Sequence, residues 1–139
     1  MIALLFLVGS TIGWAQNPFE PETNIGCVER LPMPTYTPAA RQAQAEGTIT
    51  ASVLLSPKPS VQLQITSQFT AKTQKVAGVL MQAVEIAVEE ASYRPDCAGK
   101  TVTLVFDFKV TGRPSANPKQ SASFGYPNKF WIVTEPAVR

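Results

Sequence analysis

Ten consecutive residues, Thr101-Val102-Thr103-Leu104-Val105-Phe106-Asp107-Phe108-Lys109-Val110, constrain this chain more than any other segment. Successive side chains of a β-strand point to opposite faces. Val102, Leu104, Phe106, Phe108 and Val110 therefore share one face, and Thr101, Thr103, Val105, Asp107 and Lys109 share the other. An apolar face of that size must be covered. The segment from Ala71 to Ser92 has the pattern to cover it: Val76, Leu80, Ala83, Val84, Ala87, Val88 and Ala91 recur at spacings of three and four. Lys72, Lys75, Gln82, Glu85 and Glu89 fall on the opposite side of that amphipathic helix, and Pro95 marks where it has stopped.

The segments between complete a sheet. Thr48 to Leu55 is rich in β-branched residues, and Val61 to Thr66 alternates apolar and polar. The turn Ser56-Pro57-Lys58-Pro59-Ser60 joins them as an antiparallel hairpin. Before the hairpin, Thr37 caps a short helix of two to three turns in which Pro38 takes the first position and Gly47 ends the run. Thr111 to Gln120 reads as a polar linker with Pro114 and Pro118, and Phe130 to Thr134 as one more strand before Pro136. The expected fold is α+β. It has a small antiparallel sheet of about three core strands plus a C-terminal strand, one long helix over one face, and a short N-terminal helix.

At the N-terminus, Ile2 to Val8 is an apolar run, and small residues at Gly13 and Ala15 suit signal-peptidase cleavage after Ala15. The stretch from Met1 to Ala15 is shorter than the roughly 20 residues of a membrane-spanning helix. An exported chain is expected, membrane-anchored only if that segment stays uncleaved. In an exported protein Cys27 and Cys97 are read as one disulfide, which by closing a loop of about 70 residues would stabilise the fold by about 4 kcal/mol. Pro18, Pro21, Pro32, Pro34 and Pro38 mark an extended, partly polyproline arm. The expected divisions are a signal peptide at 1–15, the arm at 16–35, a domain at 36–110, and a linker with a C-terminal strand at 111–139.

Several function classes lack the residues they need. There is no histidine, the commonest general base and metal ligand. Two cysteines cannot assemble the three or four close ligands of a zinc site, and no phosphate-binding or nucleophile-elbow motif occurs. A net charge of +2 with scattered basic residues offers no stripe for nucleic acid. Neither catalysis, a metal nor any other cofactor is expected, and no nucleic-acid partner.

Tyr36-Thr37-Pro38-Ala39-Ala40-Arg41, the residues up to Glu46, and then Gly47-Thr48-Ile49 resemble the opening of the TonB C-terminal domain family. That family begins Tyr-Pro-Pro, a hydrophobic residue, Ala-Arg, a few helical residues, and Gly-Thr-Val opening a strand. Tyr36, Pro38, Ala40, Arg41, Ala43, Gly47 and Thr48 fall on its positions. Tyr93-Arg94-Pro95 matches the end of its aromatic-x-Pro helix terminus, with Ala91 in place of the usual tryptophan, and Val102 to Val110 sits where its final core strand does. The similarity spans roughly residues 33–110. Physically, Ala40 and Ala43 would let the short helix sit close on the sheet, and Gly47 would take a positive φ at the reversal. Arg41 would reach the last carbonyls of its helix or a nearby carboxylate. Tyr93 and Pro95 would close the core beneath the long helix.

The resemblance implies an envelope protein that binds an extended segment of an outer-membrane receptor, or of another envelope protein, along an exposed sheet edge, in or related to energy-dependent transport across the outer membrane. Which strand forms the edge is left open; the strand Val102 to Val110 is one candidate, with Val105, Asp107 and Lys109 displayed on its solvent face. The C-terminal Phe130 to Val133 would either add itself to that edge and block it, be displaced by a partner, or swap between two copies as a homodimer. The competing expectation is a secreted interaction or inhibitor module with no transport role.

Overall fold

The computed structural model of the chain describes residues 23–56, 62–70 and 73–138. The signal segment 1–15, the start of the arm, the tip of the hairpin at 57–61, and Ala71 and Lys72 lie outside them.

The fold is α+β. Strands β2 (Gly47–Leu54), β3 (Gln62–Phe69), β5 (Thr101–Val110), β6 (Gln120–Gly125) and β7 (Lys129–Thr134) form one five-stranded sheet in the order β3-β2-β5-β7-β6. A second, two-stranded sheet pairs β1 (Val28–Arg30) with β4 (Ser92–Tyr93). Helix α1 (Pro38–Gln42) precedes β2, and α2 (Gln74–Glu90) follows β3.

The strand at the centre is as the alternation requires. Val102, Leu104, Phe106 and Phe108 are fully buried, and Ile49, Ala51 and Val53 of β2 lie beside them on the same face. Helix α2 lays Leu80, Val84 and Val88 onto that surface, together with Ala77, while Val76 is only partly covered. Val84 and Val88 are β-branched and weak helix formers, so packing rather than propensity holds the helix in place. Burying an apolar side chain of this size contributes about 1.5–3 kcal/mol. The β2–β3 hairpin is antiparallel and in register over eight residue pairs, with Leu63, Ile65 and Phe69 turned to the helix side.

Several expectations need correction. The sheet is mixed, because β7 runs parallel to β5, pairing Val105 with Lys129 through Val110 with Thr134. The chain leaves β5, lays down β6 one place further out, turns through the cis Tyr126–Pro127 bond, and returns as β7 between them. Phe130, Ile132 and Thr134 thereby extend the buried face, and Phe106 stacks on Phe130 at 5.4 Å. Strand β6 lies where the expected linker ends. The rest of that linker is tied down: the amide of Thr111 donates to the carbonyl of Thr134 at 2.9 Å, and that of Ser115 to Pro136 at 2.9 Å.

The helix-to-strand reversal is also built differently. Helix α1 ends at Gln42, and the left-handed residue is Gln44, with φ 51°, not Gly47. Gly47 serves close approach: a Cβ there would overlap the Gln68 carbonyl oxygen and lie 2.7 Å from the Phe69 ring. Ala40 is fully buried as expected, but Ala43 is exposed, and Ala45 takes the second buried place. Tyr93 does pack against the core, its hydroxyl donating to the carbonyl of Val88 at 2.9 Å. Pro95 is exposed and does not close the core; it opens a short 3-10 turn whose last residue, Cys97, is the buried one.

The arm belongs to the body of the fold. A 3-10 turn at Ile25–Cys27 leads into β1, and the Cys27–Cys97 disulfide, both cysteines buried, joins the arm to the segment after α2.

Candidate functional site

A sheet binds a peptide through backbone groups left unpaired at an edge, so the accounting of edges decides where a partner strand can lie. Strand β5 has none to offer. It pairs with β2 along one side and with β7 along the other. The parts that β7 or β2 does not reach are also satisfied. The amide of Thr103 donates to the carbonyl of Thr23 at 3.0 Å, and its carbonyl accepts from Asn128 Nδ2 at 2.9 Å. Asn24 Nδ2 donates to the carbonyl of Thr101 at 2.8 Å, and the amide of Val110 donates to Glu46 Oε1 at 3.0 Å. That candidate edge is therefore an interior strand, because the C-terminal segment has added itself there.

Val105, Asp107 and Lys109 instead stand at the centre of the face that the helices leave uncovered. The register places Asp107 between Thr48 and Trp131, and Lys109 next to Val133. Lys129 Nζ lies 3.5 Å from Asp107 Oδ2 and 5.5 Å from the centre of the Trp131 ring. That ring lies over Gly125 of β6, where any Cβ would collide with it. A glycine in a strand covered by a cross-strand aromatic recovers packing the missing side chain forgoes.

The two true edges are β3 and β6. Strand β6 is the shorter. It is bound at its start, where Gln120 Nε2 donates to the carbonyl of Pro34 at 2.9 Å and Gln120 Oε1 accepts from the amide of Tyr36 at 2.6 Å. Strand β3, Gln62-Leu63-Gln64-Ile65-Thr66-Ser67-Gln68-Phe69, is eight residues long, keeps an unbroken register, and carries neither charge nor proline. Natural edges are usually blunted by lysine, proline or a bulge, and β3 has none of these.

The family-like residues gather at one corner. Tyr36 is 1% exposed, its hydroxyl donates to the carbonyl of Ala45, and its ring meets Phe108 edge-on at 5.5 Å. Burial pushes its phenol well above the usual range; the nearby Glu46 adds to this, and Arg41 opposes it. Tyr93 is pushed up to about 12, also by burial. Contrary to the sequence reading, Arg41 reaches neither its last helix carbonyls nor a carboxylate among the described residues. Its Nε donates to Thr134 Oγ1 at 2.8 Å and a terminal nitrogen to the carbonyl of Tyr36 at 3.4 Å. Pro38 starts α1, and the Thr37 hydroxyl accepts from the amide of Ala40 at 3.3 Å.

Sequence reasoning missed Gln120, Asn128 and Thr134. The only available signal was the Tyr126-Pro127-Asn128 turn between two strand-like runs. Among the described residues, no helix is long and apolar enough to cross a membrane, and no group of three or more His, Cys, Asp or Glu side chains could hold a metal ion. No family model, curated protein or solved structure matches this chain.

Proposed function

We propose that this chain is an exported, TonB-like envelope module. It binds an extended segment of a partner protein, an outer-membrane receptor, by strand addition along β3, in or related to energy-dependent transport across the outer membrane. The observation that carries the reading is the unblunted edge of β3, eight uncharged residues in unbroken register, in a sheet whose other edge strand is shorter and is tied to the arm at its first residue, Gln120. Backbone hydrogen bonds would supply affinity there, and Gln62, Gln64, Thr66 and Gln68 on the open face would read alternate side chains of the peptide. The buried disulfide supports an oxidising compartment, periplasmic or secreted. The placement of Tyr36, Pro38, Arg41 and Gly47 around one helix-to-strand corner supports the family resemblance.

A second reading has one observation in its favour. The edge of β5, one candidate place for the receptor peptide, is filled by β7. That favours a secreted interaction or inhibitor module without a transport role. Titrating the full chain with synthetic peptides that tile the non-barrel segments of outer-membrane receptors separates the two. Saturable binding, lost when peptide amides are N-methylated, is the expected result. Failure of every such peptide to bind would remove the transport reading.

A further inference from the structure

The outward face of α2 is polar except for two large apolar residues. Val79 is 38% exposed and Ile86 48% exposed, seven residues apart and so on one side of the helix. A groove of about 250 Å³ runs beside them, walled by Pro32, Met33 and Pro34 of the arm and floored by Ala83 and Ala87. Lys75 precedes Val79 by one turn, and Glu90 follows Ile86 by one turn. Both charges are exposed, and neither forms an ion pair among the described residues.

Their positions run against their own helix. The N-terminal end of a helix carries partial positive charge and favours anions, whereas the C-terminal end favours cations. Here the first turn holds Lys75 and no acidic residue, and the last turn ends in Glu89 and Glu90 with no basic one. The pairs Lys75 with Glu90 and Val79 with Ile86 share one midpoint, between Gln82 and Ala83. A stripe arranged this way is self-complementary under a two-fold axis. In an antiparallel copy, Val79 meets Ile86, Lys75 meets Glu90, and the opposed helix dipoles attract.

We infer that this face of α2 is the interface of an antiparallel two-fold homodimer, in which Lys75 of each copy pairs with Glu90 of the other. The groove wall from the arm gives the second helix more apolar surface than the stripe alone. Because α2 lies against the sheet with its other face, the dimer leaves both β3 edges free. The inference does not depend on what those edges bind.

Sedimentation equilibrium of the full exported chain at low ionic strength tests it, with folding of each variant checked by circular dichroism. A concentration-dependent dimer is expected. Lys75→Glu or Glu90→Lys alone should weaken it about tenfold, since two attractive contacts become repulsive. The combined K75E/E90K variant should restore it, and Ile86→Glu should abolish it. A chain that stays monomeric throughout would overturn the inference. So would a dimer insensitive to the single swaps, which would place the contact at a sheet edge, or single-swap losses that the combined variant does not recover.

Discussion

Arg41 and Thr134, 93 residues apart, meet at 2.8 Å, so the helix that opens the family-like motif is fastened to the last strand of the sheet. Thr134 is 1% exposed, and its hydroxyl also donates to the carbonyl of Glu135 at 3.2 Å. Thr134→Val keeps the shape and removes both bonds, leaving a half-buried guanidinium without its acceptor. A loss of about 1–3 kcal/mol in urea-denaturation stability is expected. Arg41→Met should cost a similar amount, and the double variant less than the sum, by about 0.5 kcal/mol or more. Additive losses would mean the two residues act separately.

The two glycines at Gly47 and Gly78 should respond to alanine in opposite directions. At Gly47 the new methyl meets the Gln68 carbonyl, which belongs to the β2–β3 ladder and cannot easily yield, and the Phe69 ring. A loss of about 1–3 kcal/mol is expected. At Gly78, inside α2, a Cβ finds nothing within 4 Å. Gly78→Ala should therefore gain about 0.5–1 kcal/mol. Thermal melts of the two variants against the parent chain check both signs.

Reducing the Cys27–Cys97 bond reopens a loop whose ends are separated by 70 residues. The chain-entropy estimate puts the loss at about 4 kcal/mol. The arm should feel it first, because β1 otherwise meets the body mainly through its short pairing with β4. Denaturant midpoints measured in reductant and for C27A/C97A should agree with each other and fall well below that of the oxidised chain.

Alkaline unfolding follows from the two tyrosines. Burial raises both phenols above 10.0, Tyr93 to about 12 and Tyr36 further. The unfolded chain therefore loses these protons first, so their contribution is intact below about pH 10 and is lost as pH rises through the folded values. Stability should fall with increasing pH above about 10, and Tyr36→Phe or Tyr93→Phe should flatten that slope. Tyr36→Phe should also be less stable at neutral pH, since it leaves the Ala45 carbonyl without its buried partner. Denaturation curves between pH 8 and about 11.5 measure both effects.

Strand β5 and helix α2 were legible because their apolar periods are long and consistent. The β2–β3 hairpin was legible for the same reason. Strand β6 was not, since Gln120-Ser121-Ala122-Ser123-Phe124-Gly125 has one large apolar residue and no alternation to detect. Strand order was equally hidden. Period-two alternation shows which side chains face the core, but it does not identify which neighbour takes the backbone bonds of β5. For that reason Val105, Asp107 and Lys109 were placed correctly on the open face and wrongly at a candidate edge. Arg41 shows the same limit, because its partner Thr134 lies on a strand whose neighbours the sequence does not reveal.

The most direct test of the peptide-binding account is amide hydrogen exchange of the full chain, followed residue by residue with and without a saturating receptor peptide. The account predicts new protection at alternate amides of β3, within Gln62 to Phe69, and unchanged exchange in β6 and β7. Protection appearing along Gln120 to Gly125, or faster exchange in Lys129 to Thr134 as the peptide displaces β7 from β5, would contradict it.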